Sequence, residues 1–159
     1  MIENLFITYP KEIELIFNLL LAFACGLAIG IEREFKSKPA GISTHITVIT
    51  ASMIFSFMSA LLSQEDPTRI ASQIVSGVGF LGAGIILKSE VTHTISNLTT
   101  AASVWYSAGI GMALGFNMYF IAIAATVYIL LINRIPNIAE VEDSPLKRIV
   151  KTVFLGKSS

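Results

Sequence analysis

Charge and sulfur are both scarce in this chain: 14% of its 159 residues are Asp, Glu, Lys or Arg, and one is cysteine. An ordinary soluble domain carries roughly 25% charged residues. The single Cys25 excludes an internal disulfide and a zinc site built from thiolates, and within an apolar run it reads as a small buried hydrophobe. His45 and His93 are the only histidines and have no evident ligand companions, so neither a metal site nor a cofactor is expected. No nucleophile, base and orienting acid fall together, so the chain is not read as an enzyme. Eleven basic residues balance eleven acidic ones without a basic tract, and no nucleic-acid partner is expected. The first basic residue is Lys11 and no small-residue cleavage site closes a short apolar core, so a removable signal peptide is not expected either.

What fills the chain is uncharged and apolar. Residues 15–31, 46–62, 70–87 and 98–133 contain no charge at all. The first three runs are long enough to cross a hydrocarbon core of about 30 Å as helices. The fourth would reach about 54 Å as one helix, so it must break. Gly109, Gly111 and Gly115 lead into Phe116-Asn117, which predicts one helix over 98–114 and another over 118–133. The expected fold is therefore all-α, a polytopic membrane protein of five transmembrane helices, in a domain over residues 1–135 with a short basic tail over 136–159. Arg33, Lys36, Lys38, Lys88, Arg134, Lys147, Arg148, Lys151 and Lys157 fall on one side of such a bundle, and only Lys11 and Arg69 on the other. The positive-inside rule then places the N-terminus outside and the C-terminus inside. Tyr119 sits where an interfacial ring is expected.

Small residues mark the helix contacts. Ala22, Gly26 and Gly30 form a ridge at four-residue intervals. In the third helix Gly77 and Gly84 share an azimuth while Gly79 and Gly82 lie on roughly the opposite side, which predicts packing on both flanks. Gly111 and Gly115 extend the same expectation to the fourth helix. Gly77-Val-Gly79-Phe-Leu-Gly82 spells a dinucleotide-binding turn, but it lies in mid-span without the required preceding strand or later acid, so it is read as packing. Two hydroxyl stripes, Ser52, Ser56 and Ser59 below His45, and Thr100, Ser103 and Ser107, leave two readings open: interhelical hydrogen bonds, or a partly hydrated path. No charge at mid-depth supports a proton relay.

The charges gather at two mouths. On the inner side Glu32, Arg33, Thr44 and His45 meet Thr99 and Thr100 at helix ends, and on the outer side stand Asp66, Arg69 and Gln73, with Asp66 expected to cap the third helix. Glu34, Lys36, Lys38 and Glu65 read as solvated loop or capping residues. Glu32 and Asp66, on opposite sides, are not expected to share a cation.

At these residues the sequence resembles a known family. GIEREFKSKPAGISTH over residues 30–45, VSGVGFLGAG over 75–84 preceded by Asp66, Arg69 and Gln73, and LTTAASVWYSAGIGMALG over 98–115 are similar to the ordered blocks of the MgtC/SapB family of bacterial membrane proteins. The resemblance implies a five-span inner-membrane domain associated with growth when magnesium is scarce. Ser43 stands where that family usually has an arginine, and Asn97 where it usually has a glycine before Leu-Thr-Thr. The longer members carry a cytoplasmic ACT-like domain; here the last residues, with Lys147, Arg148 and Lys151 among Leu146, Ile149, Val150, Val153 and Phe154, are expected to lie on the inner leaflet or dock on a partner. The function expected is non-enzymatic, magnesium-linked homeostasis by modulation of a partner membrane complex, in a homo-oligomer with a dimer favoured, surrounded by the lipid bilayer. The alternative is a small ion transporter or channel subunit with a glycine-rich core.

Overall fold

A computed structural model describes residues 10–62, 66, 69–88 and 95–135. They form five helices: α1 (Pro10–Phe35), α2 (Ile42–Leu62), α3 (Arg69–Ile85), α4 (Leu98–Gly115) and α5 (Tyr119–Ile132). Two short strands, β1 (Leu87–Lys88) and β2 (Ile95–Ser96), pair antiparallel with Leu87 opposite Ser96 at the two ends of the α3 to α4 connection. This ladder of two residues a side lies within the loop expected there, and the fold is all-α as the sequence predicts. The tail over 136–159, and Glu65 and His93, lie outside the described residues.

α1 opens on Pro10, whose missing N–H is no loss in a first turn, with Glu12 near its start and Arg33 in its last turn, both complementing the helix dipole. Both sharp connections are built the same way. Ser37 takes a left-handed φ of 51°, its N–H bonds Glu34 O at 2.9 Å, and the Lys38 N–H reaches Arg33 O at 3.0 Å. Asn117, at φ 59°, repeats this with its N–H on Leu114 O at 3.0 Å and the Met118 N–H on Ala113 O at 2.8 Å. Each is a helix stop that satisfies two orphan carbonyls. The break in the 36-residue run thus falls at 116–118, where the sequence predicts it.

α2 is the centre of the packing, with α1 on one side and α4 on the other. A Cβ on Gly26 would stand 2.6 Å from Ile46 Cα, and one on Gly30 would stand 2.3 Å from Ile42 Cα. On the other side of α2, a Cβ on Gly111 would stand 2.3 Å from Ile49 O and one on Gly115 2.5 Å from Met53 O. Only glycine admits such approach. The core beneath these seams joins Ala22, Cys25 and Ile29 to Ile49, Met53, Ile110 and Leu114, and α5 closes it with Ala122 and Ile129.

α3 is more peripheral. Ala71, Ile74 and Val78 pack against Val104 and Ala108 of α4, and Gly82 lies near Ala101. Gly77, Gly79 and Gly84 meet nothing within 4 Å of a built Cβ. The expectation that these glycines pack α3 closely on both flanks is therefore not met within one chain: α3 lies on α4 and faces α2 across a groove, and Gly77, Gly79 and Gly84 touch neither. α3 also begins at Arg69, three residues after Asp66, whose backbone carbonyl receives the Arg69 N–H at 3.3 Å.

α1 and α2 are long and apolar enough to cross a membrane, while α3 and α5 are apolar but shorter. Large apolar side chains cover the outside, with Phe35 86%, Phe80 82% and Phe120 85% exposed. In water such a surface would be driven into association, whereas hydrocarbon satisfies it without further contacts.

Candidate functional site

Three helix termini converge where α1 stops and α2 and α4 begin. The α1 to α2 turn is six residues long, and Gly30 against Ile42 draws the two helices together at their junction. The contact of Gly82 with Ala101 brings the end of α3 to the start of α4. Side chains then meet across the junction. Arg33, 3% exposed, donates from Nη2 to Thr100 Oγ1 at 3.0 Å, linking α1 to the first turn of α4. His45, fully buried, pairs Nδ1 with Ser107 Oγ at 2.8 Å and ties α2 to α4. Its Nε2 is buried without a well-formed hydrogen bond, the backbone of Ala40 being the ring's other polar neighbour. Glu32 holds Lys36 through Oε1 at 2.7 Å and accepts from Asn133 Nδ2 at 2.9 Å through Oε2. Lys36 Nζ also donates to the Asn133 carbonyl, which brings the end of α5 to the same place.

Of the residues expected at this mouth, Glu32, Arg33, His45 and Thr100 come together, whereas Thr99 is exposed on the first turn of α4 and Thr44 is half-buried. Of the residues read as solvated loop or capping residues, Glu34 does cap a helix, and Lys36 does more than that. Glu34 Oε1 accepts the Ile42 N–H at 3.0 Å and so caps α2 from the preceding helix, and Lys36 is the ion-pair partner of Glu32. Neither role is visible in a linear spacing rule, because the cap comes from eight residues upstream rather than from the position adjoining the helix.

Asp66, Arg69 and Gln73 stand apart from this cluster. Since the end of α3 lies at the start of α4, its first residues point toward the other end, and all three are exposed. Gln73 lines an apolar groove of about 410 Å³ between α2 and α3, with Val48, Phe55, Ile74 and Leu81. The hydroxyl stripes are buried in the seam between α2 and α4: Ser52, Ser56, Ser59, Thr100, Ser103 and Ser107. Ser103 Oγ donates to Thr100 O at 2.9 Å.

A second polar cluster, not anticipated from the sequence, occupies the opposite end of α1. Asn18 is fully buried and donates from Nδ2 to Asn117 Oδ1 at 3.0 Å; Asn117 Nδ2 bonds Glu14, and Tyr119 OH donates to Asn117 Oδ1 at 3.0 Å. Lys11 completes it through Glu14 at 3.0 Å, beside a cavity of about 280 Å³ lined also by Phe57, Leu61 and Phe116. Glu14 and Asn18 are four apart, hence on one helix face, and Asn18 is the one amide in the first charge-free run. That was the available signal. Among the described residues no group of three or more His, Cys, Asp or Glu is placed to hold a metal ion.

Comparison with known proteins agrees with this arrangement of blocks. The MgtC family model matches residues 19–141. Protein MgtC of Salmonella typhimurium is 44% identical over 118 residues, covering 74% of this chain and 50% of the relative. The putative magnesium transporter YhiD of Escherichia coli strain K12 is 44% identical over 129 residues, covering 75% and 59%. An uncharacterized protein of Haemophilus influenzae is 40% identical over 136 residues, covering 79% and 57%. The chain spans between half and three-fifths of the length of these curated relatives. No solved structure matches it. With three-quarters of its length inside the family model, and both polar ends of α1 within or beside that match, the chain belongs to the MgtC family.

Proposed function

We propose that the chain is a multi-pass protein of the bacterial inner membrane, with five spans, the N-terminus outside and the C-terminus inside. It acts without catalysis in magnesium-linked homeostasis by modulating a partner membrane complex through the junction of Glu32, Arg33, His45 and Thr100. The apolar exterior supports the membrane setting, the distribution of basic residues supports the orientation, and the family and the names of its relatives support the magnesium link.

One observation carries the choice of modulation over conduction. The glycines of the α2 and α4 seam are filled by backbone: Gly111 lies on Ile49 O and Gly115 on Met53 O. Among the described residues the seam is therefore closed at these two points along the buried hydroxyls, which favours the charged junction as the working feature. The test is growth. A deletion strain should grow poorly at low magnesium, recover with the wild-type chain, and recover less with Arg33→Gln; wild-type growth of the deletion strain in that medium would sink the magnesium link. Mild-detergent purification should recover a membrane complex with the wild type and lose it with a junction variant.

A second reading, transport, is favoured by the name of the Escherichia coli relative. Its path would lie between copies of the chain, along the open face of Gly77 and Gly84, in a homo-oligomer for which a dimer is the simplest form. Sustained Mg²⁺ flux into liposomes by the purified protein alone, abolished by Glu32→Gln or Asp66→Asn with folding intact, would establish it in place of modulation.

A further inference from the structure

Arg33 is a charge removed from water, and among the described residues its nearest carboxylate, Glu32, acts on it through the field and not through contact. It is 3% exposed, it spends one N–H on the Thr100 hydroxyl, and its Nε is buried with no acceptor. Among the described residues no carboxylate stands within ion-pair distance of it: Glu32 is held by Lys36 and Asn133 instead. A guanidinium keeps its proton in proteins, so burial does not neutralise it. A buried ion without a contacting partner is destabilising, and an anion brought against its free N–H would relieve that cost.

The first turn of α4 completes the requirement. The first intrahelical bond runs from the Ala101 N–H to Asn97 O at 2.9 Å, which leaves the N–H groups of Leu98, Thr99 and Thr100 ahead of the ladder. Asn97, held left-handed at φ 64°, supplies no side-chain cap. Leu98 and Thr99 are exposed, so the turn is reachable, and Arg33 is directed at it through Thr100. The open N-terminus of an 18-residue helix carries the positive end of its dipole.

We propose that Arg33 and the first turn of α4, with the hydroxyls of Thr99 and Thr100, form a binding site for a phosphate group. A tetrahedral oxyanion has enough acceptor oxygens to take the guanidinium Nε–H and the helix N–H groups together. Inorganic phosphate and the headgroup of an anionic phospholipid present the same chemistry. The inference concerns the junction named in the proposed function but rests on its contacts alone. Binding to purified protein and growth at low magnesium are separate readouts, so either can fail without the other.

The full chain in dodecyl maltoside, a detergent without phosphate, is titrated with inorganic phosphate against acetate at constant ionic strength, and separately with phosphatidylglycerol. Binding is read by thermal stability and by ³¹P line broadening. Phosphate should stabilise the protein where acetate does not; a response to phosphatidylglycerol alone assigns the site to a headgroup. Loss of a charge-assisted contact in Arg33→Gln should weaken binding about tenfold or more. Thr100→Val, which keeps the volume and removes the hydroxyl, should weaken it less, and Glu32→Gln, which removes a nearby like charge, should tighten it. Should Arg33→Gln not fold, the other two variants decide. No response to either phosphate source, an equal response to acetate, or affinities unchanged in both Thr100→Val and Glu32→Gln would overturn the proposal.

Discussion

Two alanine substitutions two residues apart in α4 should change stability in opposite directions. At Gly111 a Cβ would lie 2.3 Å from Ile49 O and 2.8 Å from Ser52 Cβ, where ordinary contact begins near 3.4 Å. Ile49 O belongs to the interior of α2, and Ile49 itself is fully buried, so the carbonyl has nowhere to turn. α4 must retreat by roughly 1 Å, and overpacking of this kind costs about 1–3 kcal/mol. Alanine recovers about 1 kcal/mol of helix propensity over glycine, which leaves Gly111→Ala destabilised by up to about 2 kcal/mol. At Gly109 a Cβ meets nothing within 4 Å. Only the propensity gain acts there, so Gly109→Ala should be neutral or up to about 1 kcal/mol more stable. Reversible unfolding in mixed dodecyl maltoside and dodecyl sulfate micelles, followed by the fluorescence of the single tryptophan, Trp105, measures the difference. Equal stability of the two variants would refute the close approach of α2 and α4 on which the sealed seam depends.

Three other outcomes follow from the same contacts. With Cys25 replaced by serine, a cysteine at Ser63 should react with an impermeant thiol reagent in intact cells and one at Ser37 only after permeabilisation; labelling at Ser37 in intact cells would reverse the orientation. Gly26→Leu, which drives a side chain into Ile46, should abolish folded yield, whereas Gly79→Leu, facing open space, should leave the chain folded, so equal loss at both would place Gly79 in a contact between copies. A double-mutant cycle on Asn18→Ala and Asn117→Ala should return a coupling of about 0.6 kcal/mol, the average for interhelical hydrogen bonds in a membrane bundle, and no coupling would remove the link between the start of α1 and the α4 to α5 joint.

Helix number and the positions of the breaks were legible in the sequence because both depend on local quantities: the length of a charge-free run, and the glycine and asparagine that end it. The 116–118 joint is the clearest instance, since a 36-residue apolar helix is too long for a bilayer and Asn117 tolerates the left-handed turn that stops it. The blocks at residues 30–45, 75–84 and 98–115 likewise marked the family. Tertiary structure alone decided what stands opposite each residue. Gly26, Gly30, Gly111 and Gly115 face backbone while Gly77, Gly79, Gly84 and Gly109 face nothing, although periodicity treats them alike. Periodicity assigns a residue to a helix face but carries no information about the neighbour of that face. The same limit hid the pairing of Asn18 with Asn117, 99 residues away, the cap that Glu34 lends to α2, and the diversion of Glu32 to Lys36 and Asn133, which leaves the buried Arg33 without an ion pair among the described residues.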